Sequence, residues 1–86
     1  MKDYVRVYYD YYNYVSGQFV ACECCGAVAN DIHHIVYRSH FGNKEKSKCN
    51  DISNLMALCR ECHNKAHQEI FKKEYLQEIH NKNLYL

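Results

Sequence analysis

The chain has 86 residues, six of them cysteine, and a formal net charge of +1. That length suits one compact unit with a single site, and a core too small to stand without disulfides, metal or oligomerisation. So small a net charge argues against a domain that works by blanket phosphate neutralisation, and no apolar run approaches the roughly 20 residues that span a bilayer.

Met1, Lys2, Asp3 and Tyr4 contain no apolar leader, so a reducing, cytoplasmic compartment is expected, where cysteines bind metal rather than form disulfides. From 4 to 15, Val5, Tyr8, Tyr9, Tyr12 and Val15 fall on one helical face, although the β-branched and aromatic composition also suits a strand. The helical reading is preferred. Six of the nine tyrosines lie in this stretch; a base-stacking role is conceivable, but a stripe at helical spacing is read as core packing. Ser16 and Gly17 punctuate its end, and Phe19, Val20 and Ala21 lead as a short strand into a cysteine turn.

Cys22 and Cys25, followed by Gly26, make one C-x-x-C; Cys59 and Cys62 make a second. Two intervening residues let one tight turn present both sulfurs to the same ion, so the two pairs supply four thiolates for a tetrahedral structural zinc. A redox dithiol is the alternative, but it belongs to a βαβ unit whose parallel-sheet pattern is missing. Cys24 and Cys49 are read as free thiols. The 33 residues from 26 to 58 exceed ordinary zinc-ribbon spacing, so the closed loop carries additional function.

Inside that loop, residues 27 to 37 read as a second short strand with His33 and His34 between Ile32, Ile35 and Val36. Adjacent strand residues face opposite ways, so one histidine can join a metal while the other addresses something else. Arg38, Lys44, Lys46 and Lys48, with His40 and a single acid, Glu45, form either a phosphate-facing loop or an ordinary solvated one. After a polar loop from about Ser39 to Asn54, Leu55 to Leu58 form an apolar lead into Cys59. From about Arg60 to Asn81 neither Gly nor Pro occurs, and Ala66, Ile70, Phe71, Tyr75, Leu76 and Ile79 mark one amphipathic helix. On it His63 and His67, four apart, can grip one ion. His40 and His80 are expected to face solvent.

The string from Asp31 through His33, His34 and Ile35, then Asn54 to Leu58, Cys59, Cys62, His63 and His67, resembles the zinc-stapled form of the HNH endonuclease family over about Cys22 to His67. The resemblance implies an α+β fold, a small ββα-metal (His-Me finger) domain held by a structural zinc on four cysteines, with an N-terminal and a C-terminal helix. The domain would occupy 1–86, with its motif core at about 22–67, an N-terminal extension at 1–21 and a C-terminal helix extension at 68–86. It implies that His34 is the general base and that His33, His63 and, in some members, His67 hold a catalytic divalent cation. Asn54 would tie the loop backbone together and so hold the base, Asp31 would stand behind a metal ligand, and Arg38 would contact phosphate. The substrate implied is DNA, in the cytoplasm of a bacterial or phage-infected cell.

The chemistry agrees: an unperturbed imidazole titrates near ~6.5 and suits a base at neutral pH, while the cation, Mg²⁺, Mn²⁺, Ni²⁺ or Zn²⁺, acts as a Lewis acid on the phosphate. Where the family often has a Gly-Gly pair after the arginine, this chain has Ser39, His40, Phe41, Gly42 and Asn43. A zinc-stabilised module that binds nucleic acid or protein without cutting is the competing reading; the filled base position favours the enzyme. A protein partner or a homodimer is expected to supply targeting, and no membrane association is expected.

Overall fold

In a computed structural model, residues 2–15, 17–37, 41–42 and 46–84 are described, with backbone only for Lys46 and Ser47. A first helix, α1 (Asp3–Tyr12), is followed by strand β1 (Asp31–His34), two 3₁₀ turns (Lys46–Asn50 and Ile52–Asn54), strand β2 (Leu55–Leu58), and helices α2 (Arg60–His67) and α3 (Lys73–Leu84).

The helix at the N-terminus ends three residues earlier than the periodicity suggests, because Asn13 adopts a left-handed conformation, φ 61°. The Tyr14 and Asn13 N–H groups then return to the Tyr9 and Asp10 carbonyls, closing the last turn. Val15 lies past this stop and is 66% exposed rather than part of the buried face.

The expected strand over 27–37 is reduced to β1. Before it, Ala21 and Val28 form an isolated antiparallel bridge that closes the cysteine knuckle, with Cys22 N–H donating to Ala27 and Gly26 N–H to Cys22. Gly26 has φ +81°, a left-handed position that glycine adopts without strain. β1 and β2 pair antiparallel with His33 opposite Met56 and His34 opposite Leu55.

Directly opposed residues share a face, so this register divides the sheet. Met56 and Leu58 join Cys22, Ile35, Cys59, Cys62, Ala66 and Leu76 on the face covered by α2 and α3. Leu55 and Ala57 join Tyr8 and Val20 on the face covered by α1. With both faces covered, all four β2 residues are 0% exposed, which is why that strand reads as an unbroken apolar run rather than an alternation. Burying each of Leu55, Met56 and Leu58 contributes roughly 1.5–3 kcal/mol.

The long helix expected from Arg60 to Asn81 is two helices. Glu69 takes a left-handed φ of 59°, its N–H bonds Ala66 at 3.2 Å and Ile70 N–H bonds Lys65 at 2.9 Å, a Schellman stop made without glycine. The break resets the phase of α3. Leu76 and His80 turn inward and are 2% and 0% exposed, whereas Ile70 is 61% and Tyr75 48% exposed.

His80 is therefore buried rather than solvent-facing. Its Nδ1–H donates to Glu23 Oε1 at 2.8 Å and its Nε2–H to the Ile52 carbonyl at 2.6 Å. Glu23, with a side chain 6% exposed, also accepts from Asn83 Nδ2, Tyr8 O–H and the Ala57 N–H. One carboxylate thus ties the knuckle to α1, β2 and α3, and every donor that surrounds it is matched. Among the described residues no helix is long and apolar enough to cross a membrane.

Candidate metal and catalytic site

The four cysteines of the two C-x-x-C motifs converge, with all four sulfurs within 4.8 Å of one another. Tetrahedral zinc–thiolate bonds place sulfurs about 3.8 Å apart, so the set fits one ion with small adjustment; Cys25 Sγ and Cys59 Sγ are 3.6 Å apart. None of the six cysteines forms a disulfide. Burial would raise the Cys22 thiol, but backbone N–H groups of Cys59, Cys25 and Cys24 outweigh it and lower the thiol to about 7, toward the ligand form. Cys24 behaves oppositely: burial first, then the charges at Cys22 and Glu23, push it up to about 11. It stays a thiol beside the cluster.

The cluster is built into α2. Cys59 is the residue before the helix, and its sulfur accepts the Cys62 N–H at 3.4 Å, so one candidate ligand also caps the helix. The next residue, His63, bonds Cys59 O through its own N–H at 2.9 Å, which fixes where its ring starts.

A second group forms from His33 on β1 and His63 and His67 on α2, with nitrogens all within 4.8 Å of one another. The sheet register puts His33 on the α2 face, and the helical spacing of four puts His63 and His67 together. Their Nε2 atoms face each other at 3.0 Å. Each ring is held from behind: His63 Nδ1–H donates to Asp31 Oδ2 at 3.0 Å, and His67 Nδ1 pairs with the Tyr37 hydroxyl at 3.3 Å. Holding Nδ1 in this way leaves Nε2 as the nitrogen for a metal. Asp31 also sits 3.6 Å from the Arg60 guanidinium. Burial, with help from His63, His67 and His34, lowers His33 to about 4, so its imidazole is neutral at neutral pH and carries a lone pair for a cation. Three imidazoles converging with their lone pairs are a donor set suited to a divalent first-row metal.

His34 points to the other face of the sheet. Its ring packs against Tyr4 of α1, centroids 4.6 Å apart, and its Nε2 lies 2.9 Å from Asn50 Oδ1. Both faces nevertheless reach one cleft of about 250 Å³, lined by Tyr4, Ile32, His33, His34, Tyr37, His63 and His67. β1 has a partner only on its β2 side among the described residues, so residues of both faces can meet over its free edge. A larger hollow of about 620 Å³ beside Tyr8, Tyr11, Tyr12 and Tyr14 contains none of these histidines, and its one carboxylate, Glu23, is committed to the donors already described.

Asn54, buried at the end of the second 3₁₀ turn, accepts the Val36 N–H at 2.7 Å and donates to the carbonyls of Val36 at 3.0 Å and Cys49 at 2.9 Å. It joins the segment after β1 to the turn before β2. Arg38 and His40 lie outside the described residues, as does most of the basic segment they begin. Spacing does not pick out Tyr4, Tyr37 or Asn50: Tyr4 and Asn50 meet His34 because α1 and the first 3₁₀ turn fold back on the sheet, and Tyr37, three residues past β1, meets His67 because α2 packs beside that strand.

A family model described as HNH endonuclease matches residues 22–69, more than half of the chain. The chain belongs to the HNH endonuclease family. The matched HNH segment contains both groups of candidate metal ligands and His34, while Tyr4 and all of α3 lie outside it. Among curated proteins, a mitochondrial DNA mismatch repair protein mutS homolog of Sarcophyton glaucum is 40% identical over 48 residues, 56% of this chain. The match spans only 5% of that protein's length. No solved structure matches the chain.

Proposed function

We propose that this HNH chain is a metal-dependent endonuclease that hydrolyses phosphodiester bonds in DNA. The observation that carries the reading is one cleft lined both by the convergent His33, His63 and His67 and by a fourth histidine, His34, held outside that group. Separate residues for holding a cation and for moving a proton are what metal-assisted hydrolysis needs.

In this reading His34 takes a proton from the attacking water. His33, His63 and His67 hold a divalent cation, Mg²⁺, Mn²⁺, Ni²⁺ or Zn²⁺, with Asp31 orienting His63. When bound, that cation supplies Lewis-acid stabilisation of the charge that develops on phosphate and on the leaving oxygen. Asn54 keeps the segment after β1 in register with the turn that touches His34. Cys22, Cys25, Cys59 and Cys62 hold a structural zinc, and Arg38 supplies a phosphate contact. The similarity to a protein named for DNA mismatch repair supports DNA as the substrate. Targeting falls to a partner protein or to a second copy of the chain.

Nicking of supercoiled plasmid, with each metal in turn or with EDTA, tests the reading on wild type and His34→Ala. Metal-dependent nicking by wild type, reduced roughly 10²–10⁴-fold in the variant, is the expected outcome, since a general base contributes about that much. Nicking that survives His34→Ala at full rate refutes the mechanism.

A further inference from the structure

His34 makes one hydrogen bond among the described residues, from Nε2 to Asn50 Oδ1 at 2.9 Å. An amide oxygen can only accept, so Nε2 must carry the ring hydrogen and, in the neutral ring, Nδ1 must carry the lone pair. The Cys49 thiol points at the same oxygen from 3.4 Å, a second donor consistent with an oxygen rather than an amide nitrogen at that position. Tyr4, packed against the ring at 4.6 Å, limits rotation away from this bond.

Asn50 is itself anchored. It ends the 3₁₀ turn Lys46–Asn50, and the preceding carbonyl, that of Cys49, accepts from buried Asn54 at 2.9 Å. Asn54 in turn grips Val36, two residues after His34, through both N–H and C=O. Both ends of the His34–Asn50 contact are therefore set by a single amide. The link runs from Asn54 to the turn, to Asn50, to the ring.

We infer that Asn50 is a positioning residue: its side-chain oxygen holds His34 by Nε2 and so makes Nδ1 the nitrogen that receives the proton of the attacking water. The inference rests on the nuclease reading for its chemical step. In that step the water proton passes to His34 Nδ1, the water oxygen bonds to phosphorus, and the phosphorus–oxygen bond to the leaving group breaks, the leaving oxygen taking a proton from solvent. Asn50 touches neither substrate nor metal and acts only by holding the ring, as an orienting partner holds a catalytic imidazole.

The test compares steady-state plasmid nicking by wild type, Asn50→Ala, Asn50→Asp, His34→Ala and the His34→Ala/Asn50→Ala double variant, each zinc-loaded. Expected are a roughly 10–100-fold fall in kcat with unchanged KM for Asn50→Ala, part of the contribution of an intact base, and recovery to within a few-fold in Asn50→Asp, which keeps the acceptor. In the His34→Ala background, removing Asn50 should cost nothing further. A loss confined to KM, an Asn50→Asp as poor as Asn50→Ala, or additive losses in the double variant each overturn the inference.

A second readout does not depend on cleavage. In ¹⁵N-histidine NMR above the imidazole titration range, His34 should give a slowly exchanging Nε2–H signal, identified by its loss in His34→Ala and lost again in Asn50→Ala. Its absence from wild type overturns the inference whether or not the protein cuts. A wild type that has the signal but cuts no nucleic acid refutes the nuclease reading, and with it the proton transfer assigned here.

Discussion

At the scale of single residues, the framework of the site depends on a polar side chain that bonds only to backbone. Asn54 is that side chain, with three bonds that span 5 and 18 residues of sequence. Truncation would leave the half-buried Val36 N–H and C=O and the buried Cys49 carbonyl unpaired, each costing about 1–3 kcal/mol at full burial and before any relaxation. Asn54→Ala is expected to destabilise the zinc-loaded protein by about 3 kcal/mol in urea unfolding; a change within about 0.5 kcal/mol, the range of ordinary surface substitutions, would remove Asn54 from the framework described above. The Asn in this position was legible from the family pattern and from the turn preference of asparagine. Its partners were not, because Val36 and Cys49 contribute backbone atoms, which carry no residue-type signal. His80 departs from its expected exposure for a related reason: its burial depends on the phase of a helix whose start the spacing does not mark.

At the scale of elements, the hidden start lies at Glu69. Helix stops are usually announced by Gly or Asn, and α1 obeys this through Asn13. α2 stops at a glutamate forced into the left-handed region, a conformation that costs a residue with a Cβ roughly 1–2 kcal/mol. Glu69→Gly should therefore stabilise the chain by about 1 kcal/mol, after part of the gain is offset by glycine's greater freedom when unfolded. Thermal unfolding checks this, and a lower Tm would show that the Glu69 side chain contributes more than its strain. β2 illustrates the opposite situation. Its unbroken apolar run was visible, and its burial on both faces followed once α1 and the α2–α3 pair had somewhere to pack.

At the scale of the whole molecule, two small clusters of side chains sit on either side of a two-stranded sheet. That is little apolar material for 86 residues, so zinc on the four cysteines, as proposed, would carry a large share of the stability. Because Cys59 and Cys62 stand at the start of α2 and His63 follows directly, a metal held at the cysteines would also position the histidine cluster. Cys62→Ala, or exhaustive chelation of wild type, is expected to abolish the bound zinc and most of the helical circular dichroism together. Retention of the wild-type spectrum without metal would show that the core suffices alone.

What the sequence determined by itself are the features set by short-range geometry. Cysteines two residues apart share a turn, histidines four apart share a helix face, and adjacent strand histidines part to opposite faces, whatever the rest of the chain does. Only the tertiary structure decided how those pieces meet. The register of His33 with Met56, the reset phase that buries His80 against Glu23, and the return of Tyr4 and Asn50 to His34 join residues from 16 to 57 positions apart. Such contacts depend on the paths of the intervening turns and on which apolar faces find cover, and no local spacing encodes either.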